Sequence, residues 1–197
     1  MALKLVFVTS NPHKVKEIKE ILSDYDLDIV SPKEIGISMP EIIEDGISYQ
    51  ENALIKARAL SGLTKEIVFA DDSGLEIKSM GNKPGLESAR YAASFGGHKY
   101  AFPIIFNNIK GKDRSARFVC DIALIDGDTT KVFEGICPGH ISEYVRGDNG
   151  FGYDPIFIPD GYDKSYAELG DEEKNRISHR GRALFEMVKY LKEHYEI

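Results

Sequence analysis

The chain of 197 residues has a formal net charge of −7 and 42% hydrophobic residues, a composition typical of one globular domain over residues 1–197. Its acidic balance and the absence of a long basic run argue against binding to duplex nucleic acid, whose phosphates require a positive protein face. The apolar stretches are too short to span a membrane and the first residues lack a signal-peptide pattern, so we expect a cytoplasmic protein without a membrane partner.

The first predicted elements are a strand, a polar turn and a helix. A short apolar run over residues 3–8 predicts a strand, and apolar residues spaced by three and four over residues 14–23 predict an amphipathic helix. The turn between them presents backbone N–H groups and the positive end of a helix dipole, which suits a phosphate. An ordinary capped turn explains the same residues, and that alternative stays open. The turn consists of Thr9, Ser10, Asn11, Pro12, His13 and Lys14.

The rest of the chain continues to alternate strands and helices, which indicates an α/β protein with a mixed sheet. In the strand over residues 66–77 we expect a break at Asp71-Asp72-Ser73-Gly74, because two carboxylates precede a Ser-Gly turn there. The other predictions are a strand at 27–30, a loop to Gly46, a helix over 48–62, a weak helix over 98–110, a hairpin over 115–136 that turns at Asp126-Gly127-Asp128, a short strand at 154–159 and a final helix from about Arg180.

Acidic residues in two segments suit a hard divalent cation. Asp72 ends an apolar run, and one or two carboxylates at a strand end are enough for Mg²⁺. The alternative is a solvated Asp-Ser-Gly turn. In the loop before the second helix, Glu51 is expected to form a capping box with Ser48, whereas Glu41 has no such role and is the more interesting acid.

Two later segments suit a nucleotide. In GDNGFGYDPIFIP, glycines alternate with Phe151 and Tyr153, which leaves room for a flat ligand against an aromatic ring, although a glycine-rich bend explains the same pattern. The start of the last helix carries several cations that oppose the helix dipole, so a structural reason for them is weak. They suit an anion or a base edge, or form a solvated surface run: Lys174, Arg176, His179, Arg180 and Arg182.

The two cysteines, Cys120 and Cys137, are too few for a disulfide framework or a zinc cluster. Cys120 lies in the apolar segment ARFVCDIALI and is expected to be a buried thiol.

Six segments, in this order, resemble the inosine/xanthosine triphosphate pyrophosphatase family over nearly the whole chain: TSNPHK, ENALIKA, ADDSGL, PGLESARY, GFGYDPIF and EKNRISHRGRAL. The resemblance implies a long mixed β-sheet flanked by helices, with two lobes around a central nucleotide-binding cleft, and a homodimer. It further implies Mg²⁺-dependent hydrolysis of ITP, dITP and XTP to the monophosphate and pyrophosphate, which cleanses the nucleotide pool.

The resemblance also assigns roles to individual residues. Asp72 would be the general base and a Mg²⁺ ligand, and Glu41 would be the second metal ligand. His13 stands where the family often has glycine or a small residue, so it would contact the substrate through its backbone. His179 and Arg180 would donate hydrogen bonds to the 6-oxo base. The substrate-binding residues it implies are Thr9, Ser10, Asn11, Pro12, His13, Lys14, Lys56, Ser73, Phe151, Gly152, Tyr153, Asp154, Lys174, His179 and Arg180.

Two other functions stay open. One is a related pyrophosphatase for other modified nucleotides, such as methylated pyrimidines. The other is a nucleotide sensor without catalytic activity. The presence of both Asp72 and Lys14 argues against the sensor, because a sensor needs no general base.

Overall fold

The computed structural model describes residues 2–197 and confirms a mixed α/β fold. Over these residues the strands form one sheet in the order β2-β1-β3-β5-β6-β7, with β4 paired to β3. Strand β1 runs parallel to both β2 and β3. The elements are β1 (Leu3–Phe7), α1 (Pro12–Ile21), β2 (Leu27–Val30), α2 (Tyr49–Ser61), β3 (Ile67–Ile77), β4 (Lys83–Pro84), α3 (Ser88–Ser94), α4 (His98–Asn108), β5 (Ser115–Asp126), β6 (Thr129–Ile141), β7 (Phe157–Pro159), α5 (Asp171–Ile177) and α6 (His179–His194).

The chain divides into two compact units. The first unit consists of the residues up to Asp72, together with Cys120–Gly135 and Arg180–Ile197. The second unit consists of Ser73–Val119 and Ile136–His179. A single domain over residues 1–197 stays a prediction.

In the first unit, the alternation of side chains along β1 builds a core on each face of the sheet. Leu5 and Phe7 belong to the cluster that also contains apolar residues of α1 and α6. Val6 and Val8 belong to the cluster that contains Ala53, Ala57 and Leu60 of α2. The period of two in a strand therefore places α2 on the opposite face from α1 and α6. Cys120 is fully buried in the first of these clusters, as predicted.

In the second unit, one cluster joins α3, α4 and α5 to the strands. Ala101, Phe102 and Ile105 of α4 pack with Phe118 and Phe157. Pro103 lies inside α4, which nevertheless runs without interruption, so the weakly predicted helix is confirmed.

The expected break in β3 is wrong. The strand continues through Asp71, Asp72, Ser73 and Gly74, because Asp71 is buried in ion pairs rather than solvated in a turn. Two short helices, α3 and α5, were not predicted, since segments of seven residues carry too little periodic signal. The hairpin of β5 and β6 is confirmed, with Gly127 at φ +53° in its turn.

Within residues 2–197, the structure contains no helix with the length and apolar character needed to cross a lipid bilayer.

Candidate functional site

The polar turn after β1 is a capped helix start. Asn11 is the N-cap of α1: its side chain accepts a hydrogen bond from the backbone N–H of His13 at 3.0 Å. Thr9 in turn accepts from the backbone N–H of Asn11 at 3.1 Å, and Pro12 occupies the first helical position. The N–H of His13 is therefore engaged by the cap, and the local geometry matches the ordinary capped turn.

Behind this turn, Asp71 holds two cations. Lys14 Nζ lies 3.0 Å from Asp71 Oδ1, and Arg180 donates from Nε and Nη2 to Oδ2 at 3.2 and 3.1 Å. Arg180 also donates from Nη1 to Glu17. Burial opposes ionisation of Asp71, but the charges of Lys14 and Arg180 outweigh it and lower the pKa of the carboxyl.

The next carboxylate along β3, Asp72, contacts two residues of helix α2. Its Oδ2 accepts a hydrogen bond from Asn52 Nδ2 at 3.1 Å, and its Oδ1 lies 3.5 Å from Lys56 Nζ. Lys56 Nζ also lies 2.5 Å from Glu44 Oε2. Burial is the main cause that raises the pKa of Asp72. Burial would lower the pKa of Lys56, but the nearby carboxylates outweigh it and raise that pKa.

The acidic loop thus brings Glu44, not Glu41, to Lys56. The Glu41 side chain is exposed, whereas that of Glu44 is half-buried. Across residues 2–197, no three or more His, Cys, Asp or Glu side chains gather as they would around a metal ion. Two carboxylates, Glu44 and Asp72, nevertheless face the same ammonium group.

In the second unit, Asp154 fixes the glycine-rich loop. Asp154 Oδ2 accepts hydrogen bonds from the backbone N–H of Phe151 at 2.9 Å and from Lys174 Nζ at 2.8 Å. The Lys174 ammonium lies 4.9 Å from the centre of the Phe151 ring. Gly150 has φ +75°, and a Cβ there would overlap the Asp154 carboxylate, so this position favours glycine. The loop and Lys174 are therefore held together by one carboxylate.

His179 lies in a stack of aromatic rings. Its ring is parallel to that of Phe118, with centroids 4.5 Å apart and an interplanar angle of 9°. The ring of Tyr166 is nearly parallel to that of His179, and their centroids are 6.3 Å apart.

Tyr153 is buried and donates its hydroxyl to the backbone carbonyl of Ser88 at 2.7 Å. The buried Tyr153 side chain thus anchors the glycine-rich loop to the start of α3.

Comparison with known proteins decides the family. The family model described as the Ham1 family matches residues 5–190. This chain belongs to the Ham1 family. It is 44% identical over 193 residues to a dITP/XTP pyrophosphatase from Caldanaerobacter subterraneus subsp. tengcongensis, covering 96% of each chain. It is 45% identical to the dITP/XTP pyrophosphatase of Bacillus subtilis, over 94% of this chain and 96% of that one.

Solved structures agree with this membership. A HAM1 protein from Coxiella burnetii superposes with a TM-score of 0.86 at 36% identity, over 97% of this chain and 99% of that one. The Staphylococcus aureus Ham1 protein gives a TM-score of 0.84 at 35% identity, over 96% and 98% of the two chains. The resemblance recognised in the six sequence segments is confirmed.

In this Ham1 family member, the predicted site residues fall into two sets, one in each unit. In the first unit, Lys14 and Lys56 contact the adjacent carboxylates Asp71 and Asp72. In the second unit, the GFGYD loop, Lys174 and His179 are linked through Asp154 and Tyr166. The first set comprises Thr9, Ser10, Asn11, Pro12, His13, Lys14, Glu41, Lys56, Asp72 and Arg180, and the second comprises Ser73, Phe151, Gly152, Tyr153, Asp154, Lys174 and His179.

Sequence reasoning missed several supporting residues of this Ham1 chain. Asp71 contacts Lys14, Glu44 contacts Lys56, and Asn52 donates a hydrogen bond to Asp72. Asp71 and Glu44 lie in the acidic segments that the sequence pointed to, whereas no sequence pattern marks Asn52. Phe118 and Tyr166, which flank His179, lie far from it in sequence, and only tertiary structure identifies them.

A further buried carboxylate lies near Asp72. Asp121 is 6% exposed, and within residues 2–197 its Oδ1 has no hydrogen-bond partner. Burial, together with the charges of Glu134 and Asp72, raises the pKa of Asp121 to about 6. The folded protein therefore binds this proton more tightly than the unfolded chain does.

We expect Asp121→Asn to stabilise the protein at neutral pH. Because the native pKa is raised, the contribution of Asp121 to stability should fall as the pH rises from about 4 to about 6 and then level off. The substitution should remove that loss and raise the free energy of unfolding at pH 7 by about 1–3 kcal/mol. Urea unfolding in metal-free buffer at pH 4, 5, 6 and 7 measures it. The exposed Asp128→Asn is the control. Equal pH profiles for Asp121→Asn and the wild type would contradict the raised pKa.

Proposed function

We propose that this chain hydrolyses the triphosphates of deaminated purines, namely dITP, ITP and XTP, to the monophosphate and pyrophosphate. The observation that carries the proposal is the similarity, over at least 94% of this chain, to proteins named dITP/XTP pyrophosphatase. A fold alone does not establish an activity, so the proposal also needs support from the site. The chemistry of both residue sets provides that support.

The first residue set supplies what a triphosphate needs. We assign phosphate binding to residues 9–14 and to Lys56, since the turn lies at the start of α1 and both lysines are largely buried. Hydrolysis of a phosphoanhydride is achieved mainly by positioning and charge stabilisation, with little covalent chemistry for the protein to perform. Lys14, which pairs with Asp71, and Lys56, which pairs with Asp72, would supply two positive charges for that task.

The carboxylates around Lys56 fit a magnesium ion. Mg²⁺ takes one or two carboxylates and otherwise keeps water and substrate phosphate oxygens, so Asp72 and Glu44 suffice as a donor set. The contact of Glu44 with Lys56 favours Glu44 over the exposed Glu41 as the second ligand. When bound, Mg²⁺ would neutralise phosphate charge and make a bound water more acidic.

Asp72 is also the proposed general base. Its pKa is raised by burial, so the carboxylate is a stronger proton acceptor than an exposed aspartate. Asn52 and Lys56 hold its two oxygens and thus fix the orientation of the carboxylate. Asp72 would accept the proton of the attacking water as the anhydride bond breaks.

The second residue set supplies the proposed base contacts. Phe151 offers an aromatic face, and Lys174 and His179 offer hydrogen-bond donors suited to the 6-oxo group of hypoxanthine or xanthine. Adenine carries an amino group at that position, so the same donors would be left unpaired. The proposal therefore includes a strong preference for 6-oxo over 6-amino purines.

We expect Glu44→Gln to raise the Mg²⁺ concentration for half-maximal activity by about tenfold or more, the range found when metal sites lose a supporting carboxylate. Glu41→Gln, the matched control in the same loop, should shift it less than twofold. Titration of dITP hydrolysis with MgCl₂ measures both, and Mn²⁺ binding followed by electron paramagnetic resonance confirms the order. A larger shift for Glu41→Gln would reassign the ligand to Glu41.

A substrate panel tests the function. We expect kcat/KM for dITP, ITP and XTP to exceed those for dATP and dCTP, whose bases carry an amino group in place of the oxo group, by about 10²-fold or more, as differential binding of a base edge allows. Highest activity on a modified pyrimidine triphosphate would favour the related pyrophosphatase. Tight binding of dITP without turnover would favour the sensor.

Three features of the proposal come from the family resemblance: the homodimer, the cytoplasmic location and the cleansing of the nucleotide pool. Size-exclusion chromatography with light scattering tests the first of these directly.

A further inference from the structure

Asp71 is a buried carboxylate of the first unit that contacts two cations. Its side chain is 1% exposed, and it contacts Lys14 through both oxygens at 3.0 Å. The same carboxylate accepts two hydrogen bonds from Arg180, which itself pairs with Glu17. Lys14 and Glu17 lie three residues apart on α1, so they share one face of that helix. The network thus holds the first turns of α1 at two points.

Asp71 and Asp72 are adjacent on β3 and therefore point to opposite faces of the sheet. Asp72 faces α2, where it contacts Asn52 and Lys56. Asp71 faces α1 and α6, where it pairs with Lys14 and Arg180. The two neighbouring acids therefore hold different cations, on different faces of the sheet.

Lys14 is a long side chain with many rotamers. A free ammonium on four methylenes loses conformational entropy when it binds a phosphate, and this loss weakens binding. An ammonium already held by a buried carboxylate has lost that freedom during folding. Lys14 is only 15% exposed and its Nζ is equidistant from both oxygens of Asp71, so it is held in place before any ligand arrives.

We infer that Asp71 is a positioning residue that holds the Lys14 ammonium beside the turn of residues 9–14, so that the turn is ready to receive a polyphosphate. The inference rests on the proposed function for its substrate, but not on turnover. Three roles of Asp71 predict different outcomes. If Asp71 positions Lys14, neutralising Asp71 weakens polyphosphate binding. If Asp71 acts only through its charge, binding becomes tighter, because a negative charge is lost. If its role is only structural, the affinity of the folded protein does not change.

Inorganic tripolyphosphate is the probe, because it has no base and its binding needs no base-reading residue. We expect Asp71→Asn to raise its Kd, measured by isothermal titration calorimetry, by about 3- to 10-fold, the cost of ordering one long side chain. In the Lys14→Met background the same substitution should change Kd less than twofold, because Asp71 acts through Lys14. Lys16→Met, an exposed lysine on the same helix that pairs with Glu20, is the control and should leave Kd unchanged.

An unchanged or lower Kd for folded Asp71→Asn would overturn the inference, as would an equal effect in the presence and absence of Lys14. Should Asp71→Asn fail to fold, wild-type protein with ¹⁵N-labelled lysine replaces it. The Lys14 ammonium resonance, assigned with Lys14→Arg, should show a coupling across its hydrogen bond to the Asp71 carboxyl carbon. A freely rotating Lys14 ammonium would overturn the inference. Tripolyphosphate binding without dITP hydrolysis would refute the proposed function and leave this inference intact.

Discussion

Replacing Asp72 by asparagine should lower kcat for dITP by about two to four orders of magnitude, the scale on which a positioned general base contributes. The amide cannot accept the proton of the attacking water, and it removes one of the two carboxylates proposed for Mg²⁺. Steady-state kinetics with dITP measures the loss.

The same substitution should not weaken the fold. Burial raises the pKa of Asp72, so the ionised carboxylate is unfavourable in the folded protein, and a neutral residue of the same shape removes that cost. We expect the free energy of unfolding of Asp72→Asn to equal or exceed that of the wild type. Asp128→Asn, which removes an exposed charge in the β5–β6 turn, is the activity control. More than about a tenth of the wild-type kcat in Asp72→Asn would show that the base lies elsewhere.

Arg180→Ala should destabilise the protein by about 3–5 kcal/mol, the cost of removing one partner from a buried ion pair. Arg180 is 2% exposed and donates to both Asp71 and Glu17, which would be left buried without this cation. Since a typical domain has only about 5–15 kcal/mol of stability, the variant should lie close to unfolding at ambient temperature. Urea denaturation followed by circular dichroism measures the change.

Arg176→Ala is the matched control, because Arg176 lies in α5, is largely exposed and pairs with Glu173. It should change the free energy of unfolding by less than about 1 kcal/mol, as exposed ion pairs do. An Arg180→Ala protein as stable as Arg176→Ala would contradict the buried network.

The base-reading role assigned to Arg180 stays a prediction: in folded Arg180→Ala, KM for ITP should rise and the ratio of kcat/KM for ITP to that for ATP should fall.

The elements with strong periodicity were predictable from the sequence. Three local patterns predict elements that the structure contains. They are the alternation along β1, the repeated apolar residues of α2 and the Asp-Gly turn of the β5–β6 hairpin. The continuity of β3 was not predictable. Two adjacent aspartates before Ser-Gly look like a solvated turn, and only Lys14 and Arg180, distant in sequence, make a buried Asp71 possible.

The site shows the same division. Lys14, Lys56 and Asp72 were identified from their motifs. In the structure, Lys14 pairs with Asp71 and Lys56 pairs with Asp72. The sequence could not distinguish Glu41 from Glu44, because a loop without periodicity does not indicate which acid turns inward. Arg180 stood out as a cation at a helix start, but its burial between two carboxylates is a tertiary property.

The products of dITP hydrolysis test the central proposal most directly. Phosphorus-31 NMR of a reaction with dITP and MgCl₂, stopped at early times, distinguishes the two possible cleavages. Cleavage between the α and β phosphates, which the proposed function requires, yields dIMP and pyrophosphate from the first turnover. Accumulation of dIDP with orthophosphate as the first products would contradict it.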